Sequence, residues 1–546
     1  MIGEVRWGDV VAKGSAGTER VRVDLLDPGK NWVRAKVVDE DTGDPVPCRI
    51  HFRSPEGVPY QPHGHHNHVN SNLDTFNFDL GGDIRLGQIT YAYTDGTCEG
   101  WLPRGEVIVD AASGFEYNPL RDRVYIEPGQ RELVLRLKRW TDMNGQGWYS
   151  GDPHMHFISA VGALTDARSE GVNVAHVEQT QLGGLYAGVD EFLGQPLATR
   201  DGKHVVYVSQ ENRQNLMSHL LLWGLKKPVM PFCTDGQGEG GIGGTMETTL
   251  SYWADECHAQ GGTVVSAHFW GFNREVVALV ATGRLDALEF KGHQRQYTHE
   301  EYYRLLNCGY RVPLVGGTDK MSNETPVGFY RTYVKLQDGE EFDFESWCRN
   351  VRLGRTFMTA GPIMHFKVNG QDIGDTVEIA GPGTVEVEAV AESVVPIHRL
   401  DVIQEGRVVA TAESAEPTRR LEIKESILVV GHTWLAARAG SPTYYGDPDY
   451  DALDRGIYAH TGPTYVACGG EWWMFDEDVA RHMLDVIEGD LVYIREVSGQ
   501  AAADLITHPH PDDDHIAYLS RPFIEAREAI LQRAQKAGVS LRTGDY

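Results

Sequence analysis

Trp148-Tyr149-Ser150-Gly151-Asp152-Pro153-His154-Met155-His156-Phe157 marks the place where the chain changes character. From here to about Thr359, strand-like runs alternate with helical ones. A strand over Thr263-Val264-Val265-Ser266-Ala267 follows a helix predicted from Thr248 to Gln260 and stopped by Gly261-Gly262. The helix Glu275 to Thr282 precedes an extended Arg284 to Phe290, and the helix Glu300 to Asn307 precedes a strand Arg311-Val312-Pro313-Leu314-Val315. Such repetition predicts an α/β domain with a parallel sheet or barrel. His154 and His156 lie two apart on a strand, so both imidazoles face one side and can reach one cation. An HxH is met just as readily as two ordinary histidines, and alone it favours that plainer reading.

Further groups are needed, and four separate strand ends carry them: His154 with His156, Glu211 after Val205-Val206-Tyr207-Val208, His268 after Ala267, and Asp319 after Gly316-Gly317-Thr318. In α/β barrels the C-terminal strand ends converge on one face. Spacing alone leaves a shared metal site and chance placement equally open.

Upstream, Trp32 to Val37, Cys48 to Arg53, Glu106 to Val109 and Leu133 to Leu137 alternate between apolar and polar residues, as in a small β-sandwich. Thr42-Gly43-Asp44-Pro45 reads as the turn of an opening hairpin. Downstream of Gly361, runs such as Val385 to Val390 and Leu400 to Ile403 predict a second β-domain, and Asp476 to Ile487 and Arg521 to Ala537 predict helices. Two histidine-rich tracts stand apart. His63, His65, His66 and His68 lie among Gly and Pro, and His508, His510 and His515 among Pro and Asp; both read as exposed loops rather than metal sites.

With 546 residues, 41% hydrophobic, the chain is too long for one core. Fifty basic and 78 acidic residues give a net charge of −28, which disfavours nucleic acid and anionic membranes as partners. The seven scattered Cys fit reduced thiols in a cytoplasm, and neither a signal peptide nor a membrane span is expected.

Ser150-Gly151-Asp152-Pro153-His154-Met155-His156, Ser209-Gln210-Glu211, Ser218-His219-Leu220, His258 to Gly262 running to His268, Tyr303 to Gly309, Gly316-Gly317-Thr318-Asp319 and Gly354 to Pro362 follow one another in an order that resembles the PHP (polymerase and histidinol phosphatase) superfamily of metallohydrolases. The resemblance is closest to its CehA/McbA, carbaryl hydrolase-like branch. It implies a PHP-type distorted (β/α) barrel over 148–360, with β-sandwich-like domains over 1–147 and 361–474 and a helical segment over 475–546. It also implies two adjacent metal positions: His154, His156, Glu211 and Asp319 hold the first, while Glu211, as a bridging carboxylate, His219 and His268 hold the second. The superfamily's third position is lost, because Met321 stands where the last motif would have its histidine. His176 and Glu178 are the residues available to replace the missing group.

Imidazole and carboxylate together suit Zn²⁺, Mn²⁺ or Fe. Two such cations would generate a nucleophilic hydroxide and polarise a carbonyl or phosphoryl oxygen. Asp319 and Glu211 are the expected catalytic groups. Lys320, Arg213, His293 and Arg295 are candidates for stabilising an oxyanion, although each also fits an ion pair. The expected enzyme hydrolyses an ester, carbamate or amide of a small molecule by attack of metal-bound hydroxide. A PHP-type phosphoesterase is the alternative, and a non-catalytic metal- or glycan-binding protein the second. Homo-oligomerisation is left open. Gly183 to Arg200 and Thr234 to Thr245 are expected as loops over the site.

Overall fold

In the computed structural model, which describes residues 5–14, 17–26, 29–66, 81–182, 185–234, 246–272, 274–291, 296–445, 456–497 and 514–541, the alternating N-terminal runs are strands. The chain divides into two compact units, one of residues 1–70 and 82–141, the other of 71–81 and 142–546.

In the first unit Lys30–Asp39 and Cys48–Arg53 do not form the expected hairpin. Lys30–Asp39 sits between Glu132–Leu137 and Thr97–Pro103, whereas Cys48–Arg53 belongs to a separate five-stranded sheet. The expected turn is present: Asp39 Oδ1 accepts the N–H groups of Asp41 and Thr42, each at 2.9 Å, and an antiparallel Val38–Pro45 bridge closes it before Cys48–Arg53 enters the other sheet. Alternation then does what period-two patterning predicts. Val33, Ala35 and Val37 from one sheet and Ile50, Phe52, Val107 and Val109 from the other share one buried cluster.

The second unit begins with the strand β1 (Trp148–Met155). It continues through β2 (Val174–Leu182), β3 (Leu185–Ala187), β4 (Val205–Gln214), β5 (Ser218–Trp223), β6 (Thr263–Ser266), β7 (Ala287–Lys291), β8 (Leu314–Gly317) and β9 (Arg331–Lys335). The pairs β1–β2, β2–β4, β6–β7 and β7–β8 are parallel. β5 is antiparallel to both β4 and β6, and β9 to β1. Six strands therefore share one direction, and β5, running the other way, starts where its neighbours end. Among the described residues strand pairing makes no closed barrel; a Met155–Lys320 bridge and the His156 N–H to Lys320 O bond at 2.7 Å link the chain after β8 to β1.

Helices connect the strands: α1 (Ala160–Ser169), α2 (Leu250–Ala259), α3 (Arg274–Ala281), α4 (Gln296–Asn307) and α5 (Phe344–Arg352). Their ends follow from their sequences. Ser159 and Thr249 cap α1 and α2, Asp343 and Ser346 cap α5 reciprocally, and Gly261 (φ +80°) terminates α2. One sheet face carries Val174, Tyr207, Leu221, Trp223, Val265 and Val315, packed on Phe344 and Trp347. Gly151 is required there, because a Cβ would lie 2.4 Å from Trp347 Cζ2.

Beyond Thr359 the expected strands exist, two of them much longer than expected: Gly383–Gln404 and Arg407–Val429 form one antiparallel pair. The expected terminal helices are Glu477–Glu496 and His515–Lys536, whose Met483, Ile487, Leu519 and Phe523 share a buried cluster with Val276 and Leu279 of α3. Among the described residues no helix is long and apolar enough to cross a membrane.

Candidate metal centre

His154, His156, Glu211, His219, His268 and Asp319 converge at the end of the sheet where β1, β4, β6 and β8 finish and β5 begins. His154 Nε2 and His156 Nε2 are 2.9 Å apart, and Asp319 Oδ1 stands 3.4 and 3.5 Å from them. Glu211 lies between two sets of imidazoles. Its Oε2 is 3.3 Å from His156 Nε2, while its Oε1 is 3.1 Å from His219 Nδ1, 3.3 Å from His268 Nε2 and 3.7 Å from His154 Nε2. Two three-residue groups have ligand atoms close enough for one ion: His154, His156 and Asp319, and His154, Glu211 and His268. His219 touches Glu211 but joins neither group.

The donor set fits a cation on its own chemistry. Among the described residues Asp319 Oδ1 is buried without a hydrogen-bond partner although it faces two ring nitrogens, and His154, His156 and Glu211 are fully buried. Converging Nε2 atoms and carboxylate oxygens, sealed from water, call for positive charge among them. The pKa shifts of these groups point the same way. Burial pulls the His154 imidazolium down, but Glu289, Asp319 and Glu211 outweigh that and raise it to about 10. Burial pushes Asp319 up, yet His154, His156 and Lys291 bring it down to about 2. Burial takes His219 down to about 4.

The backbone is strained at the same place. Phe157, Ser218, His268 and Asp319 all have positive φ (54°, 124°, 34° and 45°) without being glycine. Left-handed conformations cost about 1–2 kcal/mol each for such residues, and they gather where a side chain must be aimed.

No family model and no curated protein matches the chain.

Three residues that the sequence did not single out complete the centre. Glu289 on β7, fully buried, receives His154 Nδ1 at 2.9 Å and the His268 backbone N–H at 2.8 Å on the same Oε2, so one carboxylate orients a ligand from each side. Lys291, two residues on, pairs with Asp319 Oδ2. Asp152 accepts from the Thr318 backbone N–H at 3.1 Å, from Thr318 Oγ1 at 2.7 Å and from the Gly328 N–H at 2.7 Å, which fixes the turn bearing Asp319. The only sequence signal was an acid inside a buried apolar strand, Leu288-Glu289-Phe290.

Other sequence candidates fall elsewhere. Arg213 pairs with Glu211 Oε2 at 3.0 Å, as an ion-pair residue would. Lys320 is buried and bonds the Ser322 and Thr325 carbonyls, so it is not aimed at the ligands. His176 packs at a tilt against Trp223 and meets Ser209 Oγ at 3.0 Å; it is a core histidine whose pKa burial lowers to about 3. Glu178 is buried, with neither carboxyl oxygen hydrogen-bonded among the described residues, and burial pushes its carboxyl well above the usual carboxylate range. His65 pairs with Asp83, His63 edges Trp32, and His515 meets the Met246 carbonyl. His68, His293, Arg295, His508 and His510 lie outside the described residues.

Proposed function

We propose that this chain is a metal-dependent hydrolase of the PHP type, cleaving an uncharged ester, carbamate or amide. The observation that carries the reading is Glu211, whose two carboxylate oxygens are each turned towards a different set of imidazoles, as a residue shared by two cations would be. The linkage of β1 to the chain after β8 supports the distorted-barrel reading. His154, His156, Glu211 and Asp319 would hold one divalent ion, Zn²⁺, Mn²⁺ or Fe, and Glu211, His268 and His219 the other. When bound, such ions lower the pKa of a water and polarise the carbonyl to be attacked.

The chain's own residues have distinct tasks. Glu289 keeps the proton on His154 Nδ1 and leaves Nε2 as the donor atom. Asp319, held ionised by His154, His156 and Lys291, is placed to accept a proton at Oδ1 or Oδ2. Lys291 and Arg213 stand at opposite edges and offset the charge of Asp319 and Glu211.

A phosphoester is disfavoured by what surrounds the centre. The helix that begins closest after the HxH is α1, and its first N–H is taken by a carboxylate, with Ala160 N donating to Glu191 Oε2 at 3.2 Å. Among the described residues, Arg213 and Lys291 are already paired with the candidate ligand carboxylates Glu211 and Asp319. The test sets chelator-sensitive release of p-nitrophenol from esters and carbamates against its release from p-nitrophenyl phosphate, with metal content measured alongside. About two ions per chain and ester or carbamate turnover are expected. Preference for the phosphate would replace this reading by the phosphoesterase, and a purified chain that takes up no metal would end both.

A further inference from the structure

Beside the centre, between the end of β1 and the segment after β3, lies a cavity of about 380 Å³. We propose that it receives an uncharged apolar group flanking the scissile carbonyl, with Phe157, Tyr186 and Val189 as its specificity-determining residues; this deepens, and rests on, the hydrolase reading above.

The cavity is tied to the centre on two sides. Phe157 forms one wall, and its ring centroid is 6.0 Å from that of His156. Tyr186 forms another and packs edge-on against Phe232, 6.1 Å away, whose carbonyl accepts the Arg213 N–H at 2.8 Å, with Arg213 in turn on Glu211. The Phe157 wall thus adjoins a proposed ligand directly, and the Tyr186 wall reaches one through Phe232 and Arg213. Ile158, Val177 and Ala187, all buried, contribute apolar surface to the lining beside the buried Glu178. Leu185, Tyr186, Val189 and Leu193 crowd large exposed side chains onto one short segment, surface that an apolar ligand would remove from water. The volume is at the small end of the roughly 300–1,000 Å³ of small-molecule sites. The lining carries the acids Asp190 and Glu191 and no basic residue, so an anionic group is disfavoured while an alkyl or aryl group is not.

The test uses the full-length chain loaded with Zn²⁺ or Mn²⁺ and two neutral series, p-nitrophenyl acetate to hexanoate and methyl to hexyl benzoate. In at least one series kcat/KM should rise about fourfold per methylene until the cavity is full. p-Nitrophenyl monoglutarate should be turned over about tenfold more slowly than the pentanoate, or worse. Val189→Glu, at an exposed position, and Ala187→Leu, which fills the cavity, should flatten the rising series with metal content unchanged. Flat series in both directions, or equal turnover of the glutarate, overturns the proposal.

A second readout separates it from the hydrolase reading. N-phenyl-1-naphthylamine, a neutral fluorescent probe, should bind the metal-free chain and lose about tenfold or more in affinity with Val189→Glu. Probe binding that behaves so without any ester cleavage removes the hydrolase and keeps an apolar ligand site. Absent probe binding, or binding indifferent to Val189→Glu, removes the cavity proposal whether or not esters are cleaved.

Discussion

Replacing Glu289 by Gln should weaken metal binding by about 10–100-fold, equal to about 1.4–2.7 kcal/mol, without unfolding the chain. The substitution keeps shape and removes charge. In the native arrangement Oε1 is 3.1 Å and Oε2 2.9 Å from His154 Nδ1, and Oε2 also takes the His268 N–H at 2.8 Å. A carboxamide can place its one oxygen at the Oε2 position and satisfy both donors, but its NH₂ then sits where Oε1 was, facing an Nδ1 that already bears a proton. It cannot swing aside, because the neighbourhood is closed: even a Cβ on Gly317 would collide with Glu289 Oε1. His154 must therefore turn or change tautomer, and either takes Nε2 away from the cation. The assay is competition between the protein and a chromophoric chelator for Zn²⁺, with circular dichroism confirming the fold. Affinity within about twofold of the wild type, in a folded variant, would refute the claim that Glu289 organises the centre.

His154→Ala and Glu211→Gln should each abolish turnover and cut the metal content measured by elemental analysis, with Glu211→Gln affecting both ions; undiminished activity in either variant contradicts the shared-ligand arrangement. Removing metal with a chelator should lower the thermal midpoint, since ions that bind only the folded chain stabilise it by mass action; an unchanged midpoint argues against tight binding. Asp490, buried on the helix Glu477–Glu496, has its carboxyl raised to about 7, chiefly by burial and against the pull of Arg274. A carboxyl raised on folding costs stability as pH climbs from its unfolded value near 4 to about 7, at most about 4 kcal/mol. Asp490→Asn should accordingly raise the thermal midpoint at pH 8.5 and change it little at pH 4.5; equal shifts at both would show that burial of charge is not the cause. Gly151→Ala forces a methyl to within 2.4 Å of Trp347 and should cost about 1–3 kcal/mol, read as a lower midpoint in calorimetry; no loss would mean that Trp347 can retreat.

What could be read from the sequence was what depends on local pattern. The helices α2 to α4 start and stop within a few residues of their predicted bounds, because Gly261 and Gly309 and the capping Thr249 act within one turn. His154, His156, Glu211, His268 and Asp319 could be found as strand-end groups, since parallel strands bring such ends together. His219 could not, because it lies at the beginning of a strand. Only the antiparallel course of β5, a matter of tertiary pairing, sets Arg213 opposite His219 and brings that beginning level with the other candidate ligands. Lys320 illustrates the converse. Adjacent to Asp319 in sequence, it points the other way and ends on backbone carbonyls. The turn at Thr42 to Pro45 is where the sequence puts it, but a turn signal says that the chain bends, not which sheet the next strand enters.

The Thr318 hydroxyl bonds the carbonyl of His154 across 164 positions of sequence, and the His156 N–H to Lys320 O bond joins the same two stretches. Closing so long a loop is an entropic toll that must be met before any ligand pair can form. The centre therefore belongs to the last events of folding. During refolding in the presence of a colorimetric metal indicator, ion uptake should lag behind the appearance of helical signal, so that capture of the ion acts as a clock for completion of the sheet.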